Sequence, residues 1–194
     1  MAAALKTLFI GVIVVQLGGF GPLRSATASS PAHPRLQISR APAAPTCQAA
    51  NLAIAPDLSS GATGHIGIEL RLHNASTHPC TLKGFATIVL LDGSRSPLLT
   101  VLHWGPGGFF NFNRPVRLVT LAPGGNAYLA MGWAHIPTTG QTCPLAPNLL
   151  VLPPGASSAV LISMGHASAH NYGPVDACGG QLSVSAVEPT PFML

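Results

Sequence analysis

The sequence predicts an all-β fold, a two-sheet antiparallel sandwich of about nine short strands tied by two disulfides. Apolar residues alternate with period two, and no segment has a helical period. The chain has 21 Gly and 19 Pro among 194 residues, and each would cost roughly 1 and 3 kcal/mol inside a helix. Four cysteines follow an N-terminal export signal. Together these observations favour a sandwich over a helical fold.

The N-terminal segment predicts export. Lys6 is the only charge before Arg24, residues 8–17 are apolar, and Ala26-Thr27-Ala28 provides an A-x-A cleavage site. We therefore expect residues 1–28 to be a cleaved signal peptide. The alternative is an uncleaved membrane anchor, but the apolar run is about half of the ~20 residues that a spanning helix needs. Residues 29–46, rich in Pro, Ala and Ser, predict a flexible spacer, which leaves 47–194 as the folded domain.

The charge balance excludes two classes of partner. Removal of 28 residues from 194 leaves 166, and the loss of Lys6 and Arg24 leaves seven of the nine basic residues against five acidic ones. This excess is too small to predict binding to nucleic acid or anionic lipid. A surface with so few charges also predicts some self-association. No second apolar stretch is long enough to span a membrane once the signal is removed.

The strongest strand signal lies at residues 66–72, where Ile66, Ile68, Leu70 and Leu72 alternate with polar residues or glycine. Three turn signals then predict hairpins, each joining the segments on its two sides. They are Asp92-Gly93 between 87–91 and 98–102, Pro123-Gly124-Gly125 between 116–121 and 127–133, and Pro153-Pro154-Gly155 between 148–152 and 159–163. Further strands are predicted at Leu52 and Ile54 and at 182–186.

The four cysteines allow three disulfide pairings. Cys47 lies just before the strand at Leu52, and Cys80 lies just after the strand at 66–72. If these strands form a hairpin, both cysteines fall at one end of the sheet, which favours Cys47 with Cys80. Cys143 and Cys178, each preceding a predicted strand, then form the second pair. The wide spacing and the lack of C-x-x-C argue against a zinc site made of the four thiols.

Several landmarks occur in a fixed order: CTLKGF at 80–85 after a strand ending LHN at 72–74, LAPGGNAY at 121–128, LPPG at 152–155, and QLSVS at 181–185 after Cys178. In these landmarks the chain resembles the actinobacterial secreted family called domain of unknown function 4232 (DUF4232), from about Cys47 to Val187. The resemblance implies an immunoglobulin-like sandwich in the cell envelope or culture medium of a high-GC Gram-positive bacterium, and it implies no activity. Many relatives are lipoproteins, but this chain lacks the lipid-accepting cysteine.

The loop at 103–113 is the first candidate binding site. It places Trp104, Phe109, Phe110 and Phe112 in a Gly-rich connection, and aromatic side chains are enriched at recognition surfaces. We interpret this loop as a binding surface for an envelope protein or a glycan. The alternative is that the rings fold back and cap an open edge of the sandwich.

A second candidate is metal binding. His166 and His170 have an H-x3-H spacing that would bring two imidazoles to one Cu²⁺ or Zn²⁺ if the loop forms a helical turn. No third ligand follows at a diagnostic spacing. Exposed loop histidines that only face solvent are the alternative.

Catalysis has no comparable support. The chain lacks G-x-S-x-G and the Gly-Lys motif of phosphate-binding loops, and five acidic residues scattered along the chain do not predict a carboxylate pair. The sequon Asn74-Ala75-Ser76 is interpreted as the start of a turn. The sequence thus predicts a secreted, non-enzymatic binding module without a cofactor, with metal binding as the alternative.

Overall fold

The computed structural model describes residues 43–106, 110, 112–165 and 173–192, all within the unit Ala41–Leu194. The predicted signal peptide and spacer residues 29–42 lie outside the described residues. Among the helices in the described ranges, none has the length and apolar character needed to cross a membrane.

The chain is almost entirely β-structure, which confirms the predicted fold class. The strands of the described residues are β1 (Leu52–Ala62), β2 (His65–Asn74), β3 (Cys80–Lys83), β4 (Thr87–Leu91), β5 (Val101–Trp104), β6 (Leu118–Leu121), β7 (Asn126–Ala134), β8 (Asn148–Leu152), β9 (Val160–Ser163) and β10 (Gln181–Val184). Two 3₁₀ turns, Ala49–Asn51 and Cys178–Gly180, complete them. The strand that the sequence did not predict is β3, four residues inside the motif at 80–85.

The larger sheet has five strands in the order β1-β2-β7-β10-β5. All neighbours are antiparallel except β10 and β5, which run parallel. Successive side chains of a strand point to opposite faces, so the residues from Ile66 to Leu72 at even positions are buried on the inner face of β2. Gly67, Glu69 and Arg71 point to the outer face.

Two smaller sheets complete the fold, β4-β8-β9 and β3-β6. Their buried residues, such as Ile88, Leu149 and Val119, belong to the same hydrophobic core as the inner face of the five-stranded sheet. Apolar faces of several sheets therefore meet in one core, as a sandwich requires. The arrangement is compatible with an immunoglobulin-like sandwich, and that detail stays a prediction.

The hairpin predicted across Asp92-Gly93 is wrong beyond its first residues. The amide N–H of Leu98 donates to the carbonyl of Leu90 at 2.8 Å, but the N–H of Leu90 donates to the side-chain hydroxyl of Thr100 at 3.0 Å. Because this hydroxyl takes the place of a backbone acceptor, the antiparallel ladder ends there. The chain then forms β5, which pairs with β10, while β4 pairs with β8.

The hairpin predicted across Pro123-Gly124-Gly125 is also wrong. β6 pairs with β3, and β7 pairs with β2. The turn is held against the end of β2, because the N–H of Gly124 donates to the carbonyl of Asn74 and the N–H of Asn74 donates to the carbonyl of Gly125, both at 2.9 Å. The chain therefore leaves one sheet and enters the other. The third predicted hairpin, β8 with β9, is confirmed.

Both predicted disulfides are present, Cys47–Cys80 and Cys143–Cys178. They join residues 33 and 35 positions apart. The first is buried at both ends beside the β1-β2 hairpin, with Cys47 hydrogen-bonded through its N–H to Thr81. No cysteine is free, which is typical of a domain that folds in an oxidising, extracytoplasmic compartment.

Asn74 ends β2 and is fully buried. Its side-chain amide donates to the carbonyls of His78, Leu121 and Ala122 at 2.9, 3.2 and 3.2 Å. Its side-chain oxygen accepts from the N–H and the hydroxyl of Ser76. The predicted turn after the strand is thus built around Asn74, and a buried amide with these partners cannot serve as a glycan acceptor.

Candidate functional site

Trp104 ends β5, the outermost strand on one side of the five-stranded sheet. Its indole N–H donates to the carbonyl of Ala86 at 3.2 Å. Its ring is stacked on Phe85, with 6.4 Å between ring centroids and 28° between planes. The side chain nevertheless remains 55% exposed. Trp104 is therefore a large aromatic surface that is held in place from one side and open to solvent on the other.

Trp104 belongs to a partly exposed strip that we call the β5 edge, residues 99–104. Leu99 lies at its other end and is 69% exposed. Its backbone packs so closely on Gly180 that a Cβ at Gly180 would lie 2.1 Å from the Leu99 carbonyl oxygen, which fixes the backbone at that end. In the part of the chain that the structure describes, the edge of β5 away from β10 has no strand partner. An edge strand with unpaired backbone groups can accept a further strand.

The other predicted aromatic residues have different environments. Phe112 is 2% exposed, and Phe110 is stacked parallel to it with centroids 5.9 Å apart. Phe109 lies outside the described residues. The N–H of Phe112 donates to the carbonyl of Phe110, and the N–H of Arg114 donates to the carbonyl of Phe112. Phe110 and Phe112 pack against the sheet, and the guanidinium of Arg114 lies over the ring of Phe192.

Two glycines make room for Phe110 on the outer face of the five-stranded sheet. Gly67 of β2 lies opposite Gly132 of β7. A Cβ at these positions would lie 2.9 and 2.6 Å from the ring of Phe110, closer than atoms pack. The rings of Phe110 and Phe112 thus form a small second core with Ala130 and Phe192, whereas Trp104 faces solvent.

Glu69 is the acidic residue beneath this second core, and it is 1% exposed. One carboxylate oxygen accepts the backbone N–H of Phe192. The pKa of Glu69 is raised above its ordinary value, chiefly because the carboxyl group is buried. The hydrogen bond from the N–H of Phe192 is the next largest effect and lowers the pKa, followed by the negative charge of Asp57, which raises it, and the positive charge of Arg114, which lowers it. The hydrogen-bond donor to Glu69 is Phe192, near the C-terminal end of the described residues, and the nearby cation is Arg114, in the segment after Phe112. Glu69 therefore links both segments to the sheet.

A pair of imidazoles lines a cleft of about 260 Å³ at the tip of the β1-β2 hairpin. They are His65 and His135. Asp176 accepts from Nδ1 of His135 at 3.2 Å and from the indole N–H of Trp133 at 2.9 Å. A carboxylate only accepts hydrogen bonds, so Asp176 orients the imidazole of His135 through its Nδ1 and the indole of Trp133 through its N–H.

The predicted metal ligands, His166 and His170, lie outside the described residues. Within the described ranges no three His, Cys, Asp or Glu residues are grouped closely enough to hold a metal ion. Metal binding through the loop histidines therefore stays a prediction.

The sequence predicted Trp104 as a candidate binding residue, and that role stays a prediction, but the residues that position it were missed. Phe85 lies in the motif at 80–85, and nothing in the sequence predicted that its ring contacts Trp104. Gly67 and Gly132 gave no signal, because their pairing depends on strands far apart in the chain. The contact of His135 with Asp176 was equally hidden.

No curated protein and no solved structure matches the chain. A family model described as a domain of unknown function (DUF4232) matches residues 47–188, which span both disulfides, the ten strands of the described residues and the β5 edge. The match begins at the first cysteine and confirms the resemblance seen in the sequence. The chain belongs to the DUF4232 family.

Proposed function

We propose that the domain is a secreted, non-enzymatic interaction module that binds a protein of the cell envelope through the β5 edge. The predicted signal peptide and the two disulfides support the secreted location. The family adds no activity, since its description names none.

The observation that carries the proposal is that Trp104 is held in place by contacts on one side and is exposed to solvent on the other. Ordering a mobile side chain on binding costs roughly 0.5–1.5 kcal/mol, and Trp104 is already ordered by Ala86 and Phe85. More than half of the side chain is still available for contact. A fixed, exposed tryptophan is the residue type that dominates binding energy at interfaces.

The open backbone of β5 favours a protein over a glycan as the partner. A partner strand can form backbone hydrogen bonds along residues 101–104, while Leu99 and Trp104 accept apolar side chains at the two ends. The strip between these residues is about 16 Å long at roughly 3.3 Å per residue. This length suits an added strand of four or five residues.

The test is capture from envelope extract, followed by affinity measurement with the purified partner. Trp104→Ala should reduce affinity at least tenfold, and Leu99→Ser should reduce it less. Leu150→Ser is the matched control, because Leu150 is also an exposed leucine, 37% accessible, but lies on β8. Equal affinity of all variants, each with an unchanged melting temperature, would exclude the β5 edge as the binding surface.

Cu²⁺ or Zn²⁺ binding through His166 and His170 is a second candidate function, supported by the H-x3-H spacing of these two residues in the sequence. Calorimetric titration of the chelator-treated protein tests it. We expect micromolar binding that is lost when His166 and His170 are replaced by Ala, and binding that survives those changes would refute the loop-histidine site.

A further inference from the structure

The C-terminal tail returns to the domain after leaving it. Residues 189–191, Pro-Thr-Pro, are exposed, whereas Phe192 is 5% exposed. The tail lies beyond residue 188, where the family match ends. A short exposed connector followed by a buried aromatic residue resembles a ligand attached to its own binding site.

The groove that receives Phe192 is built from Glu69, Phe112 and Arg114, and we call it the aromatic groove. Phe112 contacts the ring of Phe192 edge-to-face, with centroids 5.9 Å apart at 77°. The guanidinium of Arg114 lies 4.2 Å from the centroid of the same ring, a cation–π contact. Glu69 accepts the backbone N–H of Phe192. The groove thus recognises both a ring and the backbone that carries it.

Glu69 makes the groove specific for a peptide rather than for any apolar group. A buried carboxylate is costly unless it is hydrogen-bonded, and Glu69 is 1% exposed. A bare hydrocarbon in the groove would exclude water from Glu69 without supplying a donor. A phenylalanine within a peptide supplies the ring and an N–H together.

We propose that the aromatic groove is a peptide-binding site that accepts the C-terminal tail of a second copy in exchange for the chain's own tail. The same contacts form in either case, so the exchange changes little besides connectivity. The prolines at 189 and 191 restrict the connector to extended conformations. The tail can therefore leave its own groove and enter that of a second copy as one extended segment. The low surface charge of the domain allows two copies to approach.

The test uses full-length protein and a fluorescent peptide with the sequence of residues 189–194. In Phe192→Ala the groove lacks its own anchor, so the peptide should bind this variant at least tenfold more tightly than wild type. A tail attached by a short connector competes at an effective concentration of about millimolar. A peptide with Ala in place of Phe is the matched control and should not bind. In wild type, concentrated samples should contain dimers that Phe192→Ala lacks.

Three outcomes would overturn the proposal: no peptide binding by folded Phe192→Ala, equal peptide binding by the variant and wild type, or the same oligomeric state for both proteins in concentrated samples. If Phe192→Ala does not fold, Phe192→Leu replaces it. Leucine retains apolar burial but offers no ring to Phe112 or Arg114, so the labelled peptide should still displace this weakened tail. Failure of the peptide to bind folded Phe192→Leu better than wild type then counts against the site.

Discussion

At the scale of single residues, short polar side chains hold the loops of this domain. Asn74 is buried, and its carboxamide satisfies three backbone carbonyls from neighbouring segments. Asp176 joins the indole N–H of the buried Trp133 to the imidazole of the exposed His135. Such groups stabilise the fold mainly because their loss leaves the partners unsatisfied.

Replacing Asn74 by Ala should lower the free energy of unfolding by about 2–4 kcal/mol, because each buried group left without a partner costs roughly 1–3 kcal/mol. Denaturant titration followed by circular dichroism measures this change. Ser76→Ala is the control, since it removes the hydroxyl donor to the Asn74 side-chain oxygen, keeps the N–H donor, and should cost roughly 1 kcal/mol. Equal losses for the two variants would contradict the central role of Asn74.

A methyl group at Gly132 should displace Phe110 from the sheet. A Cβ there would lie 2.6 Å from the ring, whereas a Cβ at Gly93 meets nothing within 4 Å. Gly132→Ala should therefore cost about 1–3 kcal/mol of stability as overpacking does, while the matched Gly93→Ala should be nearly neutral. Thermal melts of the two variants check this, and similar melting temperatures would show that the ring is not seated on the glycine.

The buried Glu69 should make stability depend on pH. Burial raises its pKa above the ordinary value of 4.5, so the folded state binds the proton more tightly than the unfolded state does. Stability from this group is then present below about pH 4.5 and is lost as pH rises through the raised pKa. Comparing denaturation of wild type and Glu69→Gln from pH 4 to 8 measures it. Glu69→Gln should lack this loss, and parallel curves for the two proteins would disprove it.

At the scale of elements, the two disulfides close loops of similar length but sit in different surroundings. Cys47 and Cys80 are both buried in the core, whereas Cys143 is partly exposed. Loop closure alone predicts that each contributes roughly 4 kcal/mol.

The double variant Cys47→Ala/Cys80→Ala should lose more stability than Cys143→Ala/Cys178→Ala. Removal of the first bond also removes two sulfurs from the packed core, and a cavity adds to the loss. Urea titrations of the two double variants compare them directly. A larger loss for the second pair would show that core packing of the first bond contributes little.

The strands could be predicted where the sequence alternates, as at residues 66–72, or where a short apolar run meets a turn, as at 148–152, and these segments form β2 and β8. The outer face of β2 was not predictable, because Gly67 and Glu69 are buried there beneath Phe110 and Phe192. Strand pairing was less predictable, because turn signals identify where a chain reverses but not which sheet it enters next. Two backbone contacts of Asn74 and one hydroxyl of Thr100 decided that choice.

For the candidate site, the sequence predicted the segment but not which of its aromatic rings would be exposed. The concentration of aromatic residues at 103–113 identified the segment, and Trp104 is exposed there. Burial of Phe112 depends on the outer face of a sheet assembled from distant strands. Local sequence carries no information about that face, so the exposed and buried rings could not be distinguished.

At the scale of the whole molecule, the central pairings join distant parts of the chain. Gly67 of β2 lies opposite Gly132 of β7, and Gly132 lies opposite Ser183 of β10. The chain order therefore differs from the order of strands in the sheet. Folding requires closure of long loops before these contacts form.

Refolding should accordingly be slow for a domain of this size. Folds dominated by non-local pairing refold in roughly milliseconds to seconds, and both disulfides close only local loops. Stopped-flow refolding with the disulfides intact measures the rate. Refolding in microseconds would contradict the strand order described above.

The two tryptophans occupy opposite environments, Trp133 at 3% exposure and Trp104 at 55%. The domain therefore carries two intrinsic fluorophores, one sensitive to unfolding and one to surface contact. Collisional quenchers should reach only the second while the protein is folded. Quenching experiments on wild type and Trp104→Phe could then report occupancy of the β5 edge without any attached label.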